Sequence, residues 1–245
     1  MSRPFRDRRD AGKKLAAMLI PKYGHRSDVV ILALPRGGVP VAVEIGEALH
    51  ALLEPFVVRA LGVPSHEKLR ATRPPAAESK GSRRKKGRGS LRMGVVASDG
   101  ICVVDREMID ALAIPTAAVD RTIALEMREV QKRDAVYRRA APLSPLEDKT
   151  VILTDDGRAS TRGKMLAAIS ALRSKRPARV VVAVPVASAE SFARIDREVD
   201  EIVCATTPVL FRGVAQWFEE FSRMSVKEVM DLLDEAKARP MSAVV

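Results

Sequence analysis

A chain of 245 residues, 47% hydrophobic and 30% charged, can bury a substantial core as one large domain or two small ones, and falls in the globular soluble class. Two distant cysteines, Cys102 and Cys204, and three scattered histidines, His25, His50 and His66, match no metal or redox spacing. This speaks against a structural zinc site and for reduced thiols in a cytoplasmic protein.

The net charge is +11, and residues 70–92, "RATRPPAAESKGSRRKKGRGSLR", supply +8 of it through nine Lys/Arg against Glu78. The rest of the chain is close to neutral. No apolar run approaches the roughly 20 residues that a bilayer span requires, so no membrane association is expected.

In chain order, "RPFRDRRDAGKKLAAML" is basic and then partly apolar, but Asp7, Asp10 and the helical spacing of Leu15, Met18 and Leu19 make it a first helix rather than a targeting peptide. "DVVILAL" (28–34) is a β-branched run of the kind buried on both faces of a sheet. "PRGG" follows, and Val41, Ile45, Ala48 and Leu49 then recur at helical spacing. "PFVVRAL" (55–61) reads as the second strand. Residues 70–91 carry Pro, Gly, Ser and charge with almost no large apolar side chain, so they are expected to be a disordered or mobile insertion. "MGVVASDGICVVD" (93–105) reads as a hairpin turning at Asp99-Gly100.

A long helix is predicted over 115–139, with Val119, Ile123, Met127 and Val130 on one face. Strand "TVILT" (150–154) leads through a polar turn into a helix carrying Met165, Leu166, Ile169 and Leu172. "ARVVVAVPV" (178–186) and "DEIVCAT" (200–206) are two more strands around a helix at 188–197. Ser225 and Glu228 form a capping box ahead of the last helix. Strands alternating with helices predict an α/β fold, an open and mainly parallel sheet with helices on both faces. The 93–105 hairpin falls outside that alternation and is expected to form a small appendage. The whole chain, 1–245, reads as a single domain.

Two strand-ending loops look built for anions, because ligands of such sheets bind at the carboxyl ends of strands. In Pro35-Arg36-Gly37-Gly38 the glycines let backbone N–H groups face a ligand and Arg36 adds a fork of charged donors. The alternative is a tight turn with an exposed arginine. The second loop, "VILTDDGRASTRGK" (151–164), is not a Walker A loop. Five residues separate Gly157 from Gly163, and Met165 stands where the magnesium-binding hydroxyl should be. Two adjacent carboxylates, Asp155 and Asp156, suit vicinal sugar hydroxyls and can hold Mg²⁺ directly or through water. The small residues beyond them, at a helix N-terminus, suit a terminal phosphate. A plain polar strand-to-helix turn is the other reading.

With those motifs in place, the sequence resembles the type I phosphoribosyltransferases. It is most similar to a bacterial group that opens with "FRDRRDAG" (Phe5–Gly12) and continues to "LALPRGGVPVA" (Leu32–Ala42). Further matching stretches are "VVRALGVPSH" (57–66), "VILTDDG" (151–157), "VVVAVPVA" (180–187) and "PVLFRGVAQWFEEFS" (208–222). The resemblance implies a parallel sheet with a small hood, and transfer of a 5-phosphoribosyl group from PRPP to a nitrogenous base or amine with Mg²⁺. It assigns the ribose hydroxyls and metal to Asp155 and Asp156. It assigns the 5-phosphate to Gly157, Ala159, Ser160, Thr161, Arg162 and Gly163, and pyrophosphate to Pro35, Arg36, Gly37 and Gly38 with Arg59 nearby. Neither a covalent nucleophile nor a catalytic base is assigned.

Trp217 or Phe218, just beyond the last strand, is a candidate for stacking on the base; anchoring of the C-terminal segment is the alternative. A second reading of the whole chain is a degenerate or regulatory protein on the same fold, with residues 80–92 making non-specific nucleic-acid contacts. Lacking interleaved aromatics, that run would reach phosphates rather than stack on bases. A third reading leaves it as a solvated linker. A homodimer is compatible with the sequence, which names neither the oligomeric state nor the acceptor.

Overall fold

The computed structural model describes residues 4–64, 91–139, 141–158 and 163–238. The elements run α1 (Arg8–Tyr23), β1 (Val29–Ala33), α2 (Gly38–Leu49), β2 (Leu52–Pro55), β3 (Val58–Gly62), β4 (Arg92–Ala97) and β5 (Cys102–Val104). They continue with α3 (Arg106–Ala111), α4 (Thr116–Arg138), β6 (Thr150–Thr154), α5 (Lys164–Arg173), β7 (Arg179–Val186), α6 (Ala189–Asp196) and β8 (Glu201–Thr206). A 3-10 turn (Val214–Trp217) and α7 (Val226–Ala238) end the described chain.

Five strands form a parallel sheet in the order β2-β1-β6-β7-β8. After β1 the chain moves outward to β2, then returns to the other side of β1 with β6. Connections therefore diverge between β1 and β6, the crevice where ligands of open α/β sheets bind. The three central strands, β1, β6 and β7, are buried on both faces, which is why their sequences are nearly continuous apolar runs. Ile31, Ala33, Ile152, Val181 and Ala183 face a layer containing α1, α2, α4 and α7. Val30, Leu32, Val151, Leu153, Val180 and Val182 face α5 and α6.

The expected second strand is two strands in two sheets. β2 takes the edge of the parallel sheet, where Pro55 needs no donor, and the Phe56 amide donates to the Ala33 carbonyl at 2.8 Å. One residue on, the Val57 amide donates to Ser98 Oγ at 2.8 Å and the Ser98 amide to the Val57 carbonyl at 2.9 Å, which starts the pairing of β3 with β4. Apolar residues fill both sides of this junction, so composition hides the switch. The three-stranded antiparallel sheet β3-β4-β5 is the hood. Its β4–β5 turn has both central residues, Asp99 and Gly100, at positive φ, the requirement of a type I′ hairpin. A short helix not expected from the sequence, α3, follows it, capped by the Asp105 carboxylate accepting from the Met108 amide at 2.9 Å.

The segment before α1 meets the segment after β8. Phe5 bridges to Phe218 in parallel, its amide donating to the Trp217 carbonyl at 3.2 Å and its carbonyl accepting from the Glu219 amide at 2.9 Å. Phe5 and Phe218, with Ala11, Val186 and Val214, form a separate apolar cluster beside the sheet. The predicted capping box of α7 is reciprocal: the Glu228 amide donates to Ser225 Oγ at 3.1 Å and the Ser225 amide to Glu228 Oε2 at 2.6 Å. Cys102 and Cys204 are free thiols, and no helix among the described residues is long and apolar enough to cross a membrane. Residues 70–90 of the predicted insertion lie outside the described residues.

Helices α1 and α2 touch backbone to backbone at Gly12, where an added Cβ would lie 2.7 Å from the Val41 carbonyl oxygen and 2.9 Å from Glu44 Cβ. Gly12→Ala gains helix propensity but forces the two helices apart. It is expected to lower stability by about 1–2 kcal/mol net in urea unfolding. An unchanged or raised midpoint would contradict this packing.

Candidate functional site

Strand β6 runs directly into Asp155 and Asp156, which are only 5% and 2% exposed. Two buried carboxylates need partners. Asp156 Oδ2 accepts from Nε of Arg8 at 2.9 Å, and its Oδ1 accepts from the Arg158 amide at 3.2 Å. Arg8, itself 8% exposed, opens α1 on the same helical stripe as the buried Ala11, Leu15 and Leu19. Its Nη1 donates to the Ser222 carbonyl at 3.0 Å, and its guanidinium lies 4.0 Å from the centre of the Phe221 ring. One arginine thus fastens the acid pair to the first helix and to the C-terminal segment.

The Pro35–Gly38 loop lies beside this pair because β1 and β6 are neighbours, with Ala33 opposite Thr154 and the Leu34 amide donating to the Thr154 carbonyl at 3.0 Å. The Pro35–Arg36 peptide is cis, and Arg36 is exposed at the mouth of the crevice. At Gly37 a Cβ would fall on the Asp156 carboxylate, so only glycine lets the loops approach this closely. Across the crevice, Lys164 Nζ donates to the Pro35 carbonyl at 3.2 Å.

Burial holds the Lys164 ammonium below its usual pKa. The nearby carboxylates of Asp155 and Asp156 oppose that shift, and the charges of Arg133 and Arg59 add to it. Arg59, on β3, is ion-paired with Glu126 of α4, which raises its pKa. Arg92, on β4, donates to the Gly163 carbonyl. Tyr137 on α4 has its pKa raised by burial, opposed by the charges of Arg36 and Arg133. Two carboxylates at the floor and cations around the rim make a crevice suited to a ligand with both hydroxyls and phosphates.

No family model matches the chain. Two curated proteins of Mycobacterium tuberculosis, from strains CDC 1551 and H37Rv and both named "Putative phosphoribosyl transferase", are each 34% identical to it over 95% of its length. The chain spans about half of them, 47% of each relative. The crystal structure of TT1426 from Thermus thermophilus superposes with a TM-score of 0.74 at 33% identity, covering 94% of this chain and 98% of that one. The chain belongs to one family with TT1426 and these putative phosphoribosyl transferases.

Within this chain the structure brings together Pro35, Arg36, Gly37, Gly38, Asp155, Asp156 and Gly157 at the β1/β6 crevice, with Gly163 at the start of α5. Ala159, Ser160, Thr161 and Arg162 lie outside the described residues, as do residues 80–90 of the basic run. Arg59 sits on the hood with its guanidinium on Glu126. Phe218, 1% exposed, is packed between Phe5 and Phe221. That burial corrects its candidacy for base stacking: it anchors the C-terminal segment. Trp217 is half-buried, with no partner for its indole N–H among the described residues. Arg8, Lys164, Arg92 and Arg133 were not singled out from the sequence. The signal for Arg8 was available, since it falls on the apolar stripe of its helix.

Arg8→Met leaves the Asp156 carboxylate buried without its cation, and a stability loss of about 3–5 kcal/mol is expected in chemical denaturation. Faster hydrogen exchange at Phe218–Ser222 should accompany it, and Arg8→Lys should recover part of both. Unaltered exchange in that segment would contradict the fastening role.

Proposed function

We propose that this protein binds PRPP and transfers its 5-phosphoribosyl group to a nitrogenous base or amine, with release of pyrophosphate. The observation that carries this reading is the meeting of the Arg36–Gly38 loop and the Asp155-Asp156 pair at the sheet's switch point. Under this reading Asp155, beside the arginine-held Asp156, accepts from the ribose hydroxyls. Backbone donors of the Pro35–Gly38 loop and the Arg36 guanidinium hold the diphosphate. The 5-phosphate goes to the stretch bounded by Gly157 and Gly163.

In the reaction the C1–O bond of the donor breaks and its electron pair leaves with pyrophosphate. The lone pair of the acceptor nitrogen forms the C1–N bond, and the proton displaced from that nitrogen passes to solvent. Positive charge develops on the sugar as in glycoside chemistry. The buried carboxylates stabilise that charge, while Arg36 and the loop N–H groups stabilise the departing anion.

A divalent ion fits the donor set, two adjacent carboxylates at the end of a strand. Mg²⁺ takes one or two carboxylates and completes its shell with water and phosphate oxygens. Asp155 and Asp156 would hold it, directly or through water. When bound, it supplies charge neutralisation for the pyrophosphate.

The nucleic-acid alternative rests on residues 80–92, of which Leu91 and Arg92 are described, and the Arg92 guanidinium is engaged by the Gly163 carbonyl. Calorimetry with PRPP and Mg²⁺ tests the leading reading. Saturable binding is expected, weakened by about tenfold or more in Asp155→Asn, the scale of one hydrogen bond to a charged group. A screen of purines, pyrimidines and simple amines for PRPP-dependent pyrophosphate release then identifies the acceptor. Absence of PRPP binding by the unaltered protein would overturn the proposal.

A further inference from the structure

Lys164 is the first residue of α5, and its side chain crosses from the end of the β6 connection to the loop that closes β1. The partner of its ammonium there is a neutral acceptor, the Pro35 carbonyl at 3.2 Å. Lys164 is half-buried, and an ammonium withdrawn from water is stabilised by an anion that compensates it. The charges of Asp155 and Asp156 at the β6 end, Arg133 on α4 and Arg59 on β3 act on this ammonium. Asp156 already accepts from Arg8 and from the Arg158 amide, and Arg59 is paired with Glu126.

Arg36 belongs to the same rim, since it is bonded to Pro35, whose carbonyl Lys164 touches. Like charges so gathered repel one another, and an incoming polyanion relieves that repulsion. The carbonyl that Lys164 touches belongs to the residue next to Arg36, so its ammonium lies beside the loop that holds the diphosphate in the proposed site.

We propose that Lys164 is a diphosphate-binding residue, whose ammonium exchanges the Pro35 carbonyl for an oxygen of the diphosphate seated on the Arg36–Gly38 loop. This rests on the reading of the crevice as a phosphoribosyl diphosphate site. It adds a residue from the far side of the crevice, on the helix that follows the sugar-binding turn. Lys164 then links the two halves of the site when the diphosphate is present, and holds the loop by its carbonyl when it is absent.

The test is calorimetry with inorganic pyrophosphate and, separately, ribose 5-phosphate, on the unaltered protein, Lys164→Met and Lys164→Arg. Lys164→Met is expected to weaken pyrophosphate binding by about ten- to a hundredfold, the scale of one charge-assisted hydrogen bond. It should leave ribose 5-phosphate within about twofold, and Lys164→Arg should retain most of the pyrophosphate affinity. Pyrophosphate binding unchanged in Lys164→Met overturns the assignment while leaving the site reading intact. Equal loss of both ligands overturns it as well, because that marks a structural effect on the whole crevice. An unaltered protein that binds neither ligand removes the site reading and this inference with it.

Should Lys164→Met fail to fold by circular dichroism, reductive methylation of the unaltered protein decides. Pyrophosphate, and not ribose 5-phosphate, is expected to slow modification of Lys164. Equal modification with and without pyrophosphate overturns the assignment.

Discussion

The buried pair of Arg8 with Asp156 is the contact on which the site depends. Asp156 ends the central part of the sheet, Arg8 begins the first helix, and Ser222 and Phe221 belong to the C-terminal segment. Three stretches far apart in the chain therefore share one guanidinium. A buried ion pair contributes little net stability once desolvation is counted, but removing one partner is expensive. Its value here is geometric: it fixes one carboxylate of the acid pair and with it the floor of the crevice. Gly37 then determines how near the second loop can come.

This arrangement also divides labour between two adjacent aspartates that look equivalent in the sequence. Asp156 is held by an arginine and a backbone amide, so it acts as much on protein structure as on any ligand. In the proposed mechanism Asp155 carries the larger share of contact with the sugar. The rim is cationic and its members have unequal freedom, with Arg59 tied to Glu126, Arg92 to a backbone carbonyl and Arg36 exposed. A crevice with fixed acids below and adaptable cations above can receive a ligand that carries neutral hydroxyls on its sugar and phosphates at both ends of it.

Much of the fold was readable because both-face burial leaves an unmistakable trace. Val29–Ala33 and Thr150–Thr154 are continuous apolar runs, and the Asp99-Gly100 turn carries its own conformational signature. The break between β2 and β3 was hidden because Phe56 and Val57 keep the run apolar while the chain changes sheets. Among the candidate site residues, those on strand-ending loops were legible from residue type alone: glycines, an arginine and paired aspartates. Lys164 was not, and Arg8 showed only as a charge on an apolar stripe, for their partners, Pro35 and Asp156, are brought near only by long-range packing and by the pairing of β1 with β6. The burial of Phe218 likewise required the bridge to Phe5, which joins segments more than 200 residues apart.

The central claim is that the β1 and β6 loops jointly form one sugar-diphosphate site. A crystal structure of the protein grown with PRPP and Mg²⁺ tests it most directly. Ligand density is predicted in the β1/β6 crevice, with ribose hydroxyls on Asp155 and the diphosphate against Arg36, Gly37 and Gly38. Ligand bound elsewhere, or an empty crevice at a saturating concentration, would contradict it.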